Sequence, residues 1–200
     1  MKELTVIIMI YVKTYEPTPF NMREILRYAG VKGDSADFQS IIDECISEVR
    51  DKLTYKVCYT EFPISVTDEY IDLGFIKTES KDLRKNLKNS RGIVLFGATI
   101  GIAIDRLIAK YSVISPVKAL MFQAIGAERI ESLCDSFNDE IKEKYITAPR
   151  FSAGYGDLPI EVQKDIFLAL DCQRKIGVTL NGSMLMSPSK SVTAIIGVRT

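Results

Sequence analysis

The 200-residue sequence contains no histidine. That removes the commonest metal ligand and the only side chain that titrates near neutrality without help from its surroundings. A Ser-His-Asp triad and a zinc-peptidase helix are both excluded. The four cysteines, Cys45, Cys58, Cys134 and Cys172, form no Cys-x-x-Cys pair, so no metal is expected and buried, reduced thiols of a cytoplasmic protein are. No sign of charge is in excess: 26 Lys and Arg balance 26 Asp and Glu. With no global field to draw a polyanion or a lipid surface, neither nucleic acid nor membrane is an expected partner. Long apolar runs are missing too. Val6 to Val12 falls far short of the ~20 residues a bilayer needs, and Lys13 to Glu16 after it offer no small-residue cleavage site. A buried β-strand is expected there.

What is present suits one domain over residues 1–200. Asn21 with Glu24 makes a capping-box pattern, and Gly30 a stop, for a helix over 22–29. Phe38, Ile41, Ile42, Cys45, Ile46, Val49 and Leu53 recur at helical spacing, with Asp34 or Ser35 as cap. Val57 and Tyr59 alternate with Lys56, Cys58 and Thr60, which reads as a half-buried strand ending at Pro63. Tyr70 to Ile76 reads as a strand, Ser80 to Leu87 as a short polar helix, 92–97 as a buried strand and 100–111 as an apolar helix. Pro116 opens a long helix toward Tyr145, with a stripe of Leu120, Ile125, Ile130, Leu133, Phe137 and Ile141. Its acidic face (Glu131, Asp135, Asp139, Glu140) reads as solvated and balanced by Arg129, Lys142 and Lys144. A helix over 160–170 and strands over 175–180 and 192–198 follow, the last two near enough to pair. The fold class expected is α+β, a twisted and mainly antiparallel sheet flanked by helices.

One loop stands out: Arg150-Phe-Ser152-Ala-Gly154-Tyr155-Gly156-Asp157-Leu-Pro159. Arginine grips a carboxylate through its two-pronged donors. Gly154 and Gly156 let backbone approach a ligand closely, and the Tyr155 ring can stack on a planar base or face a cation. Taken alone, the segment better suits a tight turn whose arginine pairs with a surface carboxylate. Three other patterns mislead. Gly92-x-x-x-x-Gly97 has Ala98 where a phosphate loop needs lysine, Gly97 to Gly101 suits close strand–helix packing, and Ser187-Pro-Ser-Lys190 has proline where a helix is required.

The loop, together with Leu180-Asn-Gly-Ser183-Met-Leu-Met186-Ser-Pro188 and Ser191-Val192-Thr193, resembles the signature of the activation domain of cobalamin-dependent methionine synthase. Arg23 to Gly30, Ile71 to Gly74 and Val94 to Gly101 look like the short stand-alone members of that family. The resemblance implies the same α+β architecture and an S-adenosylmethionine site at Arg150, Ser152 (mainly through backbone), Gly154, Tyr155 and Gly156. Ser183, Met186 and Ser191 would shape the site or meet a partner; local turn and strand-edge hydrogen bonds are the other reading of the two serines. It also implies a partner chain that carries cobalamin, since no histidine here can ligate cobalt, and a flavodoxin-like electron donor to the complex. The chain would be a reactivation subunit, positioning a methyl for reductive methylation of cob(II)alamin, with no catalytic side chain and no complete activity alone. Where the family has Thr and Glu, Asn181 and Gly182 stand, so one carboxylate is missing. The family domain in long synthases extends beyond both ends of this sequence, and its C-terminal tyrosine contact has no counterpart before Thr200. A docking protein for a cobalamin or corrinoid module, holding no ligand, is the alternative.

Overall fold

A computed structural model describes residues 9–31 and 36–199. Five strands, β1 (Tyr11–Thr14), β2 (Lys56–Pro63), β6 (Gly92–Thr99), β7 (Ile146–Thr147) and β10 (Ser191–Arg199), form an antiparallel sheet in the order β1-β2-β6-β10-β7. One face carries α1 (Met22–Tyr28), α2 (Ala36–Val49), α4 (Ala103–Ile114) and the long α5 (Pro116–Lys142). The other carries α3 (Lys81–Asn86), α6 (Gln163–Leu170), α7 (Cys172–Ile176) and a small sheet of β3 (Ser65–Val66), β4 (Ile71–Asp72) and β5 (Lys77–Thr78).

Both faces of the main sheet are therefore buried. Along β2, Val57 and Tyr59 enter the α5 side of the core while Cys58 and Phe62 enter the α6–α7 side; Val94 and Phe96 alternate likewise with Ile93 and Leu95 on β6. This corrects the half-buried reading of β2. Thr60 is covered as well, its hydroxyl donating to the Met9 carbonyl at 3.0 Å, while Lys56 stays exposed at the strand's start. The expected buried strand at the N-terminus is instead an edge strand, with Tyr11 and Val12 exposed; Val6 to Ile8 lie outside the described residues. So do the cap candidates Asp34 and Ser35.

Other expectations change for local reasons. Tyr70 to Ile76 is not one strand, because Gly74 turns the chain at φ +83° between β4 and β5. Residues 172–176 are helical, ended by Gly177 at φ +73°, and the strand after them, β8 (Thr179–Leu180), pairs with β9 (Met186–Ser187) rather than with β10. Leu120 leaves the buried stripe of α5 and lies exposed. Asn21 caps α1 by accepting from Glu24 N, but Glu24 turns to Arg27 instead of closing the box. The Asn21 N–H is taken by Glu128 at 3.1 Å.

Glu128 belongs to an unexpected buried pair. Arg129, read as a surface counterion, is fully buried and bonded to Glu128 beside it. Its guanidinium donates to the carbonyls of Thr18 (2.6 Å) and Pro19 (2.9 Å) and lies 4.3 Å from the Phe20 ring centroid. The pair thus ties the segment before α1 onto α5. All four cysteines are buried and unbridged; burial pushes the Cys45 thiol up to about 11 and that of Cys134 up to about 12. Among the described residues no helix is long and apolar enough to cross a membrane.

Candidate functional site

Arg150 is placed by a one-residue irregularity at the sheet edge. Thr147 opposes Val198 and Phe151 opposes Ile195, so four steps along one chain match three along β10. The extra residue kinks the edge and re-aims the side chains around it, as a bulge does. Phe151 exchanges both backbone hydrogen bonds with Ile195, at 2.9 and 2.8 Å, and buries its ring on the α6–α7 side. Arg150 turns the other way, to α5. Its Nη2 donates to Glu131 (3.1 Å) and Asp135 (2.9 Å), while Nη1 is buried without an acceptor among the described residues.

Glu131 and Asp135, four residues apart, lie one turn apart on the same face of α5. The acidic face read as simply solvated is therefore the wall that receives Arg150. Its other members are also engaged: Asp139 with Lys142 at 2.8 Å, and Glu140 with Lys13 and Tyr15. Beside Arg150, Glu131 and Asp135 line a groove of about 350 Å³ between α5, the Thr18–Asn21 segment and α1.

The glycine loop beyond Phe151 is tightly built. Ser152 donates through Oγ to the Thr193 carbonyl at 2.9 Å, so its side chain anchors the loop, and its own carbonyl accepts from Tyr155 N at 3.2 Å. Gly154 (φ +85°) and Gly156 (φ +56°) need the left-handed region that side chains disfavour. The space in front of each is filled from within the protein, by Ile160 at Gly154 and by the Asp82 carboxylate at Gly156. Glycine is required there by internal contact, a different reason from the close ligand approach expected. Asp157 accepts from Ser80 Oγ, Lys81 N and Asp82 N, which holds its carboxyl below the usual range. Tyr155 is left 69% exposed, its ring edge-on to Phe151 at 5.4 Å. The loop thus presents one aromatic face on a locked support, while the Arg150 head group is on the α5 side of the same edge.

The second segment is less open. Ser191 is buried, donates to the Pro188 carbonyl at 2.8 Å and meets Thr99 Oγ1 at 2.9 Å. Ser183 sits in the exposed turn between β8 and β9, where the Asn181 side chain accepts from Ser183 N and Leu185 N. Asn181, which departs from the family pattern, is what closes that turn. Met186 packs partly on the α6–α7 side of the core. Sequence reasoning missed Glu131, Asp135, Asp82 and Asp157 as determinants of this region. The spacing of the first two was visible; their meeting with Arg150 was not.

No protein-family model and no curated protein matches the sequence. Among solved structures, the chain is similar to the MetH reactivation domain bound to AdoHcy, with 14% identity and a TM-score of 0.66. The match covers 94% of this chain and 78% of that one. With helices and an antiparallel sheet in the same arrangement, the chain has the fold of the MetH reactivation domain.

Proposed function

We propose that the protein holds S-adenosylmethionine for the reactivation of a cobalamin-dependent methionine synthase carried on a partner chain. The observation that carries this reading is the Arg150 guanidinium, fixed at a sheet edge with Nη1 still seeking an acceptor. A buried donor without a partner is unfavourable, and a ligand carboxylate would satisfy it with a charge-assisted bond. Tyr155, exposed on its braced loop, offers a π-face to an adenine or a cationic sulfur. The reactivation-domain fold, known in an AdoHcy-bound form, supports the same assignment.

Bound S-adenosylmethionine would supply an electrophilic methyl on a positive sulfur. The chain's own contribution is positioning: Arg150, on the α5 side of the sheet edge, anchors the carboxylate, and a ligand reaching round that edge meets Tyr155 on its braced loop. No proton need be moved, which suits a chain without histidine. The cobalamin and a flavodoxin-like electron donor belong to partners, and the cytoplasm is the expected compartment.

Isothermal titration tests this. Wild type should bind S-adenosylmethionine, and Arg150→Ala should weaken binding more than tenfold. Absence of heat at millimolar ligand, with a cobalamin-loaded synthase present, sinks the ligand-holding reading. A second reading, a docking protein without ligand, is favoured by the two carboxylates already on Arg150 Nη2 and by Gly182 in place of an acid. Ligand-independent capture of the cobalamin chain would support it.

A further inference from the structure

Arg150 cannot present its charge without that of α5. Its Nη2 is shared between Glu131, half-buried, and Asp135, largely exposed, and the second oxygen of each (Glu131 Oε1, Asp135 Oδ2) makes no bond among the described residues. The same two carboxylates line the neighbouring groove, whose wall among the described residues includes Glu24 and Asp139 and no Lys or Arg. Around one guanidinium, then, stand a buried donor without an acceptor and two acceptors with spare capacity. That combination matches an amino-acid head group, carboxylate to Nη1 and ammonium to the acids. The surplus of negative charge matches a ligand that is cationic overall.

We infer that Glu131 and Asp135 are specificity residues that select the positively charged, methyl-bearing ligand over its neutral demethylated product. The inference rests on the S-adenosylmethionine reading above and adds what distinguishes donor from product. The two ligands differ by one methyl and one unit of charge at sulfur. In each, the sulfur stands only a few bonds from the head group that Arg150 would hold. At roughly 7 Å in water, one carboxylate favours a unit positive charge by about threefold, and two by about tenfold. An arginine left alone would hold both ligands by their common carboxylate and would not help the product leave. The acid pair biases the site toward release once the methyl has gone.

The test compares the affinities of S-adenosylmethionine and S-adenosylhomocysteine by titration at low salt, for wild type, Glu131→Gln, Asp135→Asn and the double variant. Asp135 is exposed and Glu131 only half-buried, so the variants should fold, which circular dichroism checks. The donor-to-product affinity ratio should fall about threefold in each single variant and about tenfold in the double one. It should also shrink for wild type in ~1 M salt, where charges are screened beyond about 3 Å. Loss of a purely structural brace would weaken both ligands alike and leave the ratio unmoved. Wild type binding both ligands, with a ratio shifted less than twofold in the double variant, overturns this inference alone. Wild type binding neither overturns the ligand reading with it.

Discussion

Asp82 and Asp157 each accept the other's backbone N–H, both at 3.2 Å, although 75 residues separate them. Two carboxylates tolerate this closeness because each faces amide donors: Asp157 also receives Ser80 Oγ and Lys81 N at the start of α3. The exchange staples the glycine loop to a helix on the same side of the sheet, and it decides how firmly Tyr155 is presented.

Removing the staple should loosen the loop more than the fold. Asp157→Ala is expected to make residues 152–158 the first site of limited proteolysis and to weaken S-adenosylmethionine binding several-fold. The melting temperature should fall by only a few degrees. A variant as resistant to protease as wild type would show that the loop is held by other contacts.

The two loop glycines should differ from ordinary surface positions. Gly156→Ala would push a methyl into the Asp82 carboxylate, and Gly154→Ala into Ile160, each at positive φ. A side chain in that region costs about 1–2 kcal/mol before any clash. Chemical denaturation should give a loss of at least that size for both, and the Gly156 variant should copy the protease sensitivity of Asp157→Ala.

Arg129 should be among the most sensitive positions in the chain. Replacing it with methionine strands the Glu128 carboxylate in the core and frees the Thr18 and Pro19 carbonyls. Breaking one partner from a buried pair costs about 3–5 kcal/mol. Thermal unfolding should fall by on the order of 10 °C for a chain of this size. Glu128→Gln combined with Arg129→Met should recover part of that loss, since no buried charge is then left unpaired.

Acid should detach the N-terminal edge strand through Glu140. Hydrogen bonds from Lys13 and then Tyr15 hold its carboxyl below the usual carboxylate range. A group with a depressed folded pKa contributes stability that is present above its unfolded value, near 4.5, and lost as pH falls through the folded one. Unfolding followed from pH 6 to 3 should therefore show a smaller acid-induced loss in Glu140→Gln than in wild type. Partial exposure keeps the difference small, on the order of 1 kcal/mol. Parallel curves for the two proteins would remove Glu140 from the account of acid sensitivity.

Patterns that depend on neighbours in sequence were legible before the structure. The Asn21 cap, the Pro116 start of α5 and the turn at Gly30 follow from backbone groups needing partners within a few residues. The alternating apolar strands and their antiparallel sheet were legible for the same reason, and the Arg150–Pro159 loop could be singled out by composition. What α5 meets was not. Its acids read as solvated because a helical face shows where a charge points, never which cation arrives there from another element. Arg129 was misplaced on the surface by the same blindness, since a charge of its kind is normally exposed unless a partner is folded onto it. Gly154 and Gly156 announced an unusual backbone, but Ile160 and the distant Asp82 supply the reason for it.

The whole ligand proposal comes down to one unsatisfied nitrogen, Arg150 Nη1, at the rim of a sheet. The chain's residues alone determined that an arginine, an aromatic and two glycines would share a bend. Only three-dimensional packing decided that two acids of α5 would take one nitrogen of that guanidinium and leave the other buried without an acceptor among the described residues, because contact across 15 and 19 residues depends on how helix and sheet edge come to rest against each other.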